Sequence, residues 1–323
     1  MSFARWFLPR LARRLIPPHR LRSVYERVLG TELEVQVVAD TRARAGEAER
    51  AALDEIDRLT PLLTRFDPAS ELRRWLTRPG ERVTLSPDLL HVLRAADRWR
   101  EATGGAFHPG ADALGAVWKR AEEAGCAPDA AELAALAGRL RDSPWTLHQG
   151  GAATLHATFP LGLNALAKGY VVDHAAEAAF ASPGVRAVLV NAGGDLRTLG
   201  GTGLTVAVAD PFGRRDDLPP LCRVHVRGGA LATSGDTHRG YRVGETWYSH
   251  LLDPRTGRPV ADVPGVTVTA PDCLTADALA TALSVLDVAE GLALVDATPG
   301  ASALIVTRDG TGHASARWAA RPP

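Results

Sequence analysis

Two hydrophobic rhythms divide the chain. In the first half, Thr31–Ala39 (TELEVQVVA) alternates apolar and polar residues, the period of a strand with one buried face. Residues 46–63 then place Ala52, Ile56, Leu59 and Leu63 at spacings of three and four, which predicts an amphipathic helix. A second helix is punctuated at both ends. Ser86 is its N-cap, Pro87 opens the first turn, Leu89, Leu90, Leu93 and Ala96 share a face, and Gly104 and Gly105 stop it. Alanine-rich residues 128–141, with Asp129 near the start, predict a third.

The second half moves faster. Short β-branched runs at 185–190, 204–209, 223–226, 247–252, 266–269 and 303–306 end in glycine or polar turns and predict strands. Helical stretches sit between them at 165–180, 275–286 and 288–297, and 212–220 (FGRRDDLPP) is the clearest loop. Strands and helices interleave without a strict βαβ repeat, so the fold class is α+β, a mixed α/β sandwich rather than a doubly wound dinucleotide fold.

Composition narrows the function. The 323 residues carry 37 Lys+Arg against 37 Asp+Glu, a balance that argues against a general nucleic-acid binder. No run of about 18 apolar residues predicts a membrane span. Cys126, Cys222 and Cys273 are odd in number and far apart, which suits neither a disulfide framework nor a zinc site and fits a reducing compartment. Residues 1–22 hold six arginines and no acid, and lack both the apolar h-region of a secretory signal and a lipobox cysteine. They are expected to form a flexible basic leader on a cytoplasmic protein, touching the inner membrane at most peripherally. Residues 23–323 are expected to form a single domain of two intimate lobes.

Four segments carry candidate chemistry. In GLNALAKGYVVD (162–173), Lys168, one of only two lysines, starts a helix. A helix N-terminus with a lysine makes a phosphate site, and a surface lysine on an amphipathic helix is the plainer alternative. In VLVNAGGDLRTLGG (188–201), Gly193 and Gly194 let the backbone turn sharply or approach a ligand, with Asp195 at a strand end either as a site residue or as a turn cap. In ALATSGDTHRGY and WYSHLLDPRTGRPV, His250 stands at a strand end and Asp236 in a polar turn, so His250 is either a general base near neutral pH or a satisfied polar residue. In TADALATAL (275–283), Thr275 is a natural N-cap, and Asp277 and Thr281 share a helix face as two hard oxygen ligands suited to Mg²⁺. The alternative there is an Asp serving the helix dipole. Together the four nominate a phosphate-bearing ligand, a hard metal and a base.

Read in order, eight segments resemble the ApbE family of flavin transferases: LGTELEV near residue 30, FDPASEL at 66–72, GGAFHPGADAL at 104–114, LNALAKGYVVD, VNAGGD, ATSGD, HLLDPRTGRP and ADALATAL. The resemblance implies a two-lobed mixed α/β sandwich, T-fold-like, with a flavin cleft between the lobes. It implies transfer of FMN from FAD to a Thr or Ser hydroxyl of an acceptor flavoprotein such as a redox subunit, with Mg²⁺ on the pyrophosphate and AMP released. Asp277, Thr281 and the backbone carbonyl of Ala165 match the metal ligands, and Lys168 the lysine that contacts FAD. Leu29, Phe66, Ala106, Phe107, His108, Gly193, Gly194 and Leu251 fall where the family lines its cofactor cleft. His250 matches the histidine of the HxxDPxTG motif and is the candidate base, with Asp236 orienting it or replacing it.

Three departures stand out. Gly162 replaces an aspartate that helps hold FAD, His108 replaces the aspartate of FDP, and Leu29 replaces a methionine. Two rival activities remain open: FAD hydrolysis to FMN and AMP, and FAD binding or storage without transfer.

Overall fold

Alternation along the strands builds the centre of the molecule. The computed structural model describes residues 17–213, 219–235, 240–260 and 262–321, apart from the side chains of 320 and 321. The first half runs β1 (His19–Val28), β2 (Thr31–Ala39), α1 (Arg42–Leu63), α2 (Glu71–Leu76), β3 (Arg82–Thr84), α3 (Pro87–Ala102), α4 (Ala111–Ala124), α5 (Ala130–Arg139), β4 (Trp145–His148) and β5 (Ala152–Leu155). The second half opens with α6 (Asn164–Phe180), β6 (Val185–Ala192), β7 (Asp195–Gly200), β8 (Leu204–Val208), β9 (Cys222–Val226) and β10 (Ala230–Gly235). It closes with β11 (Gly240–Val243), β12 (Thr246–Ser249), β13 (Gly265–Ala270), α7 (Cys273–Leu283), α8 (Val288–Ala297), β14 (Ser302–Val306), β15 (Gly312–Ala314) and β16 (Ala320–Arg321).

Eight strands form one antiparallel sheet in the order β1-β2-β6-β7-β10-β13-β14-β15. Its side chains sort by the two-residue period. Val188, Val190, Ala230, Ala232, Ala303 and Ile305 point into the main core with α1, α6 and α7, while Leu189, Leu196 and Leu231 point the other way. That second face is covered by the small sheet β16-β9-β8 through Val208, Val224 and Val226. The sheet β3-β5-β4 joins the main core beside α2, with Trp145 edge-on to Trp75 at 6.0 Å. A satellite core gathers Leu114, Val117 and Trp118 of α4, Leu133 of α5, Val243 of β11 and Leu252. Among the described residues no helix is long and apolar enough to cross a membrane.

The mixed α/β architecture agrees with the α+β reading, and β2 and α8 span the residues expected of them. Ser86 caps α3 by accepting from Leu89 N–H at 3.2 Å, with Pro87 in the first turn. Elsewhere the structure corrects the sequence. Residues 19–22, assigned to the leader, belong to β1, where Arg22 ion-pairs with Glu34 of β2; residues 1–16 lie outside the described residues. β12 ends at Ser249, so His250 lies beyond the strand. The N-cap of α7 is Asp272 and not Thr275, whose own N–H donates to Asp272 Oδ1 at 2.7 Å. Asp277 therefore stands one turn deeper in the helix than the sequence suggested. Of the 212–220 loop, residues 214–218 lie outside the described residues.

Candidate active site

The site is organised by the contact between α6 and α7. α6 is apolar on most of its circumference, with Leu166, Tyr170, Val171, Val172, Ala175, Ala176 and Ala179 all buried. Gly169 makes the close approach possible: a Cβ there would lie 2.6 Å from Cys273 O and 2.8 Å from Leu274 Cα. One turn on, the carboxylate of Asp173 accepts the backbone N–H groups of Cys273 and Leu274, at 2.8 and 2.9 Å. Those are donors of the first turn of α7 that the helix itself leaves without partners. Burial pushes Asp173 up to about 7 even against these bonds, and Arg197 stands 3.4 Å away while donating to Pro271 O. Asp173 and Arg197 thus fix where α7 begins.

This frame brings three charges together. Lys168, in the second turn of α6, ion-pairs with Asp195, which opens β7 and is 2% exposed. Asp277 of α7 is buried beside them. Burial raises the pKa of Asp277, its repulsion with Asp195 adds to this, and Lys168 and a hydrogen bond from Gly169 N–H oppose it. Burial likewise raises Asp195 against the pull of Lys168. Burial also opposes the charge of Lys168, yet the two carboxylates outweigh it and its pKa is raised. Two carboxyl groups thus share one ammonium in a buried place, and burial disfavours the charged form of both. Among the described residues, Asp277 Oδ2 is buried with no hydrogen-bond partner.

A metal ion is compatible with this arrangement. Thr281 follows Asp277 by four residues on α7, so both side chains share a face. In a regular helix the carbonyl of Ala165 receives the N–H of Gly169, and Asp277 competes for that same donor. The unpartnered Oδ2, a hydroxyl and a carbonyl are hard oxygen donors of the kind Mg²⁺ takes. Among the described residues no cluster of three or more His, Cys, Asp or Glu side chains is placed to hold a metal. The expected ligand set contains only one such side chain.

The turns expected to line a cofactor gather at two places. Gly193 and Gly194 turn between β6 and β7 with φ of 61° and 98°, immediately before Asp195. A Cβ on Gly193 would meet Thr31 Oγ1 at 2.4 Å, so this turn lies against the β1–β2 turn. There Leu29 holds a left-handed φ of 53°, a conformation unfavourable to a residue with a Cβ. Further along, Phe66 is 77% exposed, and the guanidinium of Arg65 lies 4.9 Å from its ring centroid. Arg65 ion-pairs with Asp112 of α4, whose carboxylate lies against Gly162. Ala106, Phe107 and His108 are buried. His108 Nδ1 accepts from Gly110 N–H at 2.8 Å, and burial, followed by repulsion from Arg100, lowers its pKa to about 4, so the ring is neutral.

His250 and Leu251 follow β12 and enter the DPRTG turn. Asp253 folds that turn by accepting from Arg255 N–H at 2.9 Å, and Trp118 Nε1 holds it by donating to Gly257 O at 2.9 Å. A Cβ on Gly105 would come within 3.7 Å of Arg255 Cγ, so the turn packs beside the 104–108 segment. His250 is half-buried, and Asp236 lies outside the described residues. The residues that sequence reasoning missed are charged ones: Asp173, Arg197, Arg65 and Asp112. In sequence Asp195 reads as a strand-end residue beside two glycines, and its ion pair with Lys168 is visible only in the fold.

Comparison with known proteins agrees with this geometry. The profile of the ApbE family matches residues 29–305. The chain is 30% identical over 315 residues to the FAD:protein FMN transferase of Treponema pallidum (strain Nichols), covering 90% of this chain and 86% of that one. It is 29% identical over 283 residues to a FAD:protein FMN transferase of Vibrio cholerae, covering 84% and 82%. The crystal structure of the ApbE protein of Thermotoga maritima superimposes with a TM-score of 0.77 at 28% identity, over 93% of this chain and 97% of that one. With the profile spanning most of its length and the same fold beneath it, this chain belongs to the ApbE family.

Proposed function

We propose that the chain is a FAD:protein FMN transferase, moving FMN from FAD to a threonine or serine hydroxyl of an acceptor flavoprotein, a redox subunit, and releasing AMP. The observation that carries this reading is the buried Lys168–Asp195–Asp277 cluster with one unpartnered carboxylate oxygen, in a chain of this family. In the reaction the acceptor oxygen bonds to the FMN phosphorus. The bond from that phosphorus to the bridging oxygen breaks, and AMP leaves with the bridging oxygen.

A hydroxyl is a weak nucleophile near neutral pH, and His250 takes its proton, with Asp236 as orienting partner or alternative base. Lys168 places positive charge beside the transferring phosphoryl group. Asp277, Thr281 and the Ala165 carbonyl would hold Mg²⁺, which when bound offsets the charge of the pyrophosphate. Leu29, Phe66, the 106–108 segment, Gly193, Gly194 and Leu251 line the cleft for FAD, between a lobe on the main core and one on the satellite core. Three separated free cysteines support a cytoplasmic setting.

The test is the intact mass of a threonine-bearing acceptor domain after incubation with the protein, FAD and Mg²⁺, beside a chelator control. A metal-dependent gain of one FMN phosphoryl adduct is expected. AMP released without adduct would make the protein a hydrolase, and FAD retained without turnover would make it a binding protein.

A further inference from the structure

Gly162 precedes Leu163, the N-cap of α6, and nothing in its backbone calls for glycine: its φ is not left-handed, and its N–H makes an ordinary bond to Pro109 O at 2.8 Å. What excludes a side chain is space. A Cβ on Gly162 would lie 2.1 Å from Asp112 Oδ2 and 3.0 Å from Asp112 Cγ, with Arg65 Nη1 next at 3.6 Å. The room that a residue-162 side chain would take is filled by the carboxylate of another residue, from the first turn of α4. This is also the position where the family resemblance implies an aspartate that helps hold FAD.

We propose that Asp112, clamped by Arg65, supplies from α4 the carboxylate that Gly162 lacks, and accepts a hydrogen bond from a hydroxyl or N–H group of FAD at the head of α6. The proposal rests on the FAD-dependent reading above. Arg65 engages Oδ2, and a carboxylate has acceptor capacity beyond one ion pair. The side chains of Asp112 and Arg65 are 34% and 31% exposed, which leaves them within reach of a ligand. Burial raises the pKa of Asp112 even opposite Arg65. Arg65 also touches Phe66, the exposed aromatic expected to line the cofactor cleft. One guanidinium therefore ties the aromatic to the displaced carboxylate. Glycine at 162 and aspartate at 112 are two halves of one arrangement.

A double-mutant cycle on the full chain tests this, with FAD affinity read from quenching of flavin fluorescence. Asp112→Gly is expected to weaken FAD binding by about tenfold, the loss of one hydrogen bond to a charged acceptor. Gly162→Asp alone is expected to weaken it too, because two carboxylates then meet. The double variant D112G/G162D is expected to return to within about threefold of wild type, a coupling that independent sites do not show. Asp112→Asn, which preserves side-chain volume, guards against a folding defect and is expected to weaken FAD while keeping the wild-type melting temperature. An unchanged FAD affinity in Asp112→Gly, or a double variant no better than the worse single, overturns the proposal. Wild-type protein that binds FAD but modifies no acceptor overturns transfer alone and leaves the cycle legible; wild-type protein that does not bind FAD overturns both.

Discussion

Replacing Gly169 with alanine sets two known effects against each other, and the structure decides the sign. Gly169 is interior to α6, and at an unobstructed helical position alanine is worth about 1 kcal/mol over glycine. At Gly169, however, the new Cβ would stand 2.6 Å from Cys273 O, 2.7 Å from Cys273 C and 2.8 Å from Leu274 Cα. All three are backbone atoms, so no rotamer change relieves the overlap. The helices must separate. Separation also stretches the bonds that Asp173 accepts from Cys273 and Leu274 at 2.8–2.9 Å. Overpacking costs about 1–3 kcal/mol, and overlap with backbone atoms places this case at the upper end, so after the propensity gain a net loss of about 2 kcal/mol is expected.

The matched control is Gly138→Ala. Gly138 is exposed in α5 with nothing within 4 Å of its would-be Cβ, so that variant is expected to gain about 0.5–1 kcal/mol. Urea midpoints at constant m measure both. If Gly169→Ala equals or exceeds wild type in stability, the two helices are not in the close contact described. The same shift carries Asp277 away from Lys168, so metal-dependent turnover should fall in Gly169→Ala and stay unchanged in Gly138→Ala.

Asp277→Asn replaces a buried carboxyl by an amide and keeps the side-chain volume. The metal-free variant is expected to be at least as stable as wild type, yet to lose both turnover and the rise in melting temperature on adding Mg²⁺; a retained rise would remove Asp277 from the metal site. His108 has a folded pKa of about 4 against an ordinary value of 6.5, so the unfolded chain takes up its proton first as pH falls. Stability from His108 is complete above about pH 6.5 and is lost progressively down to pH 4, by about 3 kcal/mol; His108→Gln should flatten that part of the urea-midpoint profile, and an unchanged slope would refute the assignment. His250→Ala is expected to lower kcat while leaving FAD affinity within about twofold of wild type, because a base acts on the transition state more than on binding. A collapse of FAD binding would make the residue structural.

Periodicity and caps were legible where local chemistry decides. Ser86 and Pro87 opened α3, and the alternation of β2 was visible because one face is fully buried. β1 is not visible in sequence because its residues are at best half-buried: among the described residues it pairs with β2 alone, and its arginines resemble those of the segment before it. α4 was hidden for another reason. Its N-cap is Gly110, which makes no side-chain capping bond, and it follows a glycine- and proline-rich segment that looks like a loop. The pairing of β2 with β6 joins residues about 150 positions apart, from Leu33 with Ala192 to Ala39 with Val185, and no local pattern encodes it. In the site, Lys168 and Asp277 stood out because a rare lysine and an Asp–Thr pair at helical spacing carry chemistry on their face. Asp173, Arg197, Arg65 and Asp112 look in sequence like any solvated charge, and only packing reveals that each holds a neighbour.

The unpartnered oxygen of Asp277 makes the frame around it informative. An isolated buried carboxylate is among the more costly features a fold can retain. Here the chain keeps two beside a single lysine, and it holds them in place from outside the cluster. Gly169 sets the helix spacing, and the Asp173–Arg197 pair fixes the start of α7. These supports come from the chain's own backbone and side chains, so the fold itself sets the spacing of Lys168, Asp195 and Asp277. Divalent cation should then stabilise the protein even without FAD, in proportion to occupancy, and Asp173→Asn should diminish that effect by loosening α7 while leaving Lys168, Asp195 and Asp277 all present. Equal stabilisation of Asp173→Asn and wild type would mean that the frame does not govern the site.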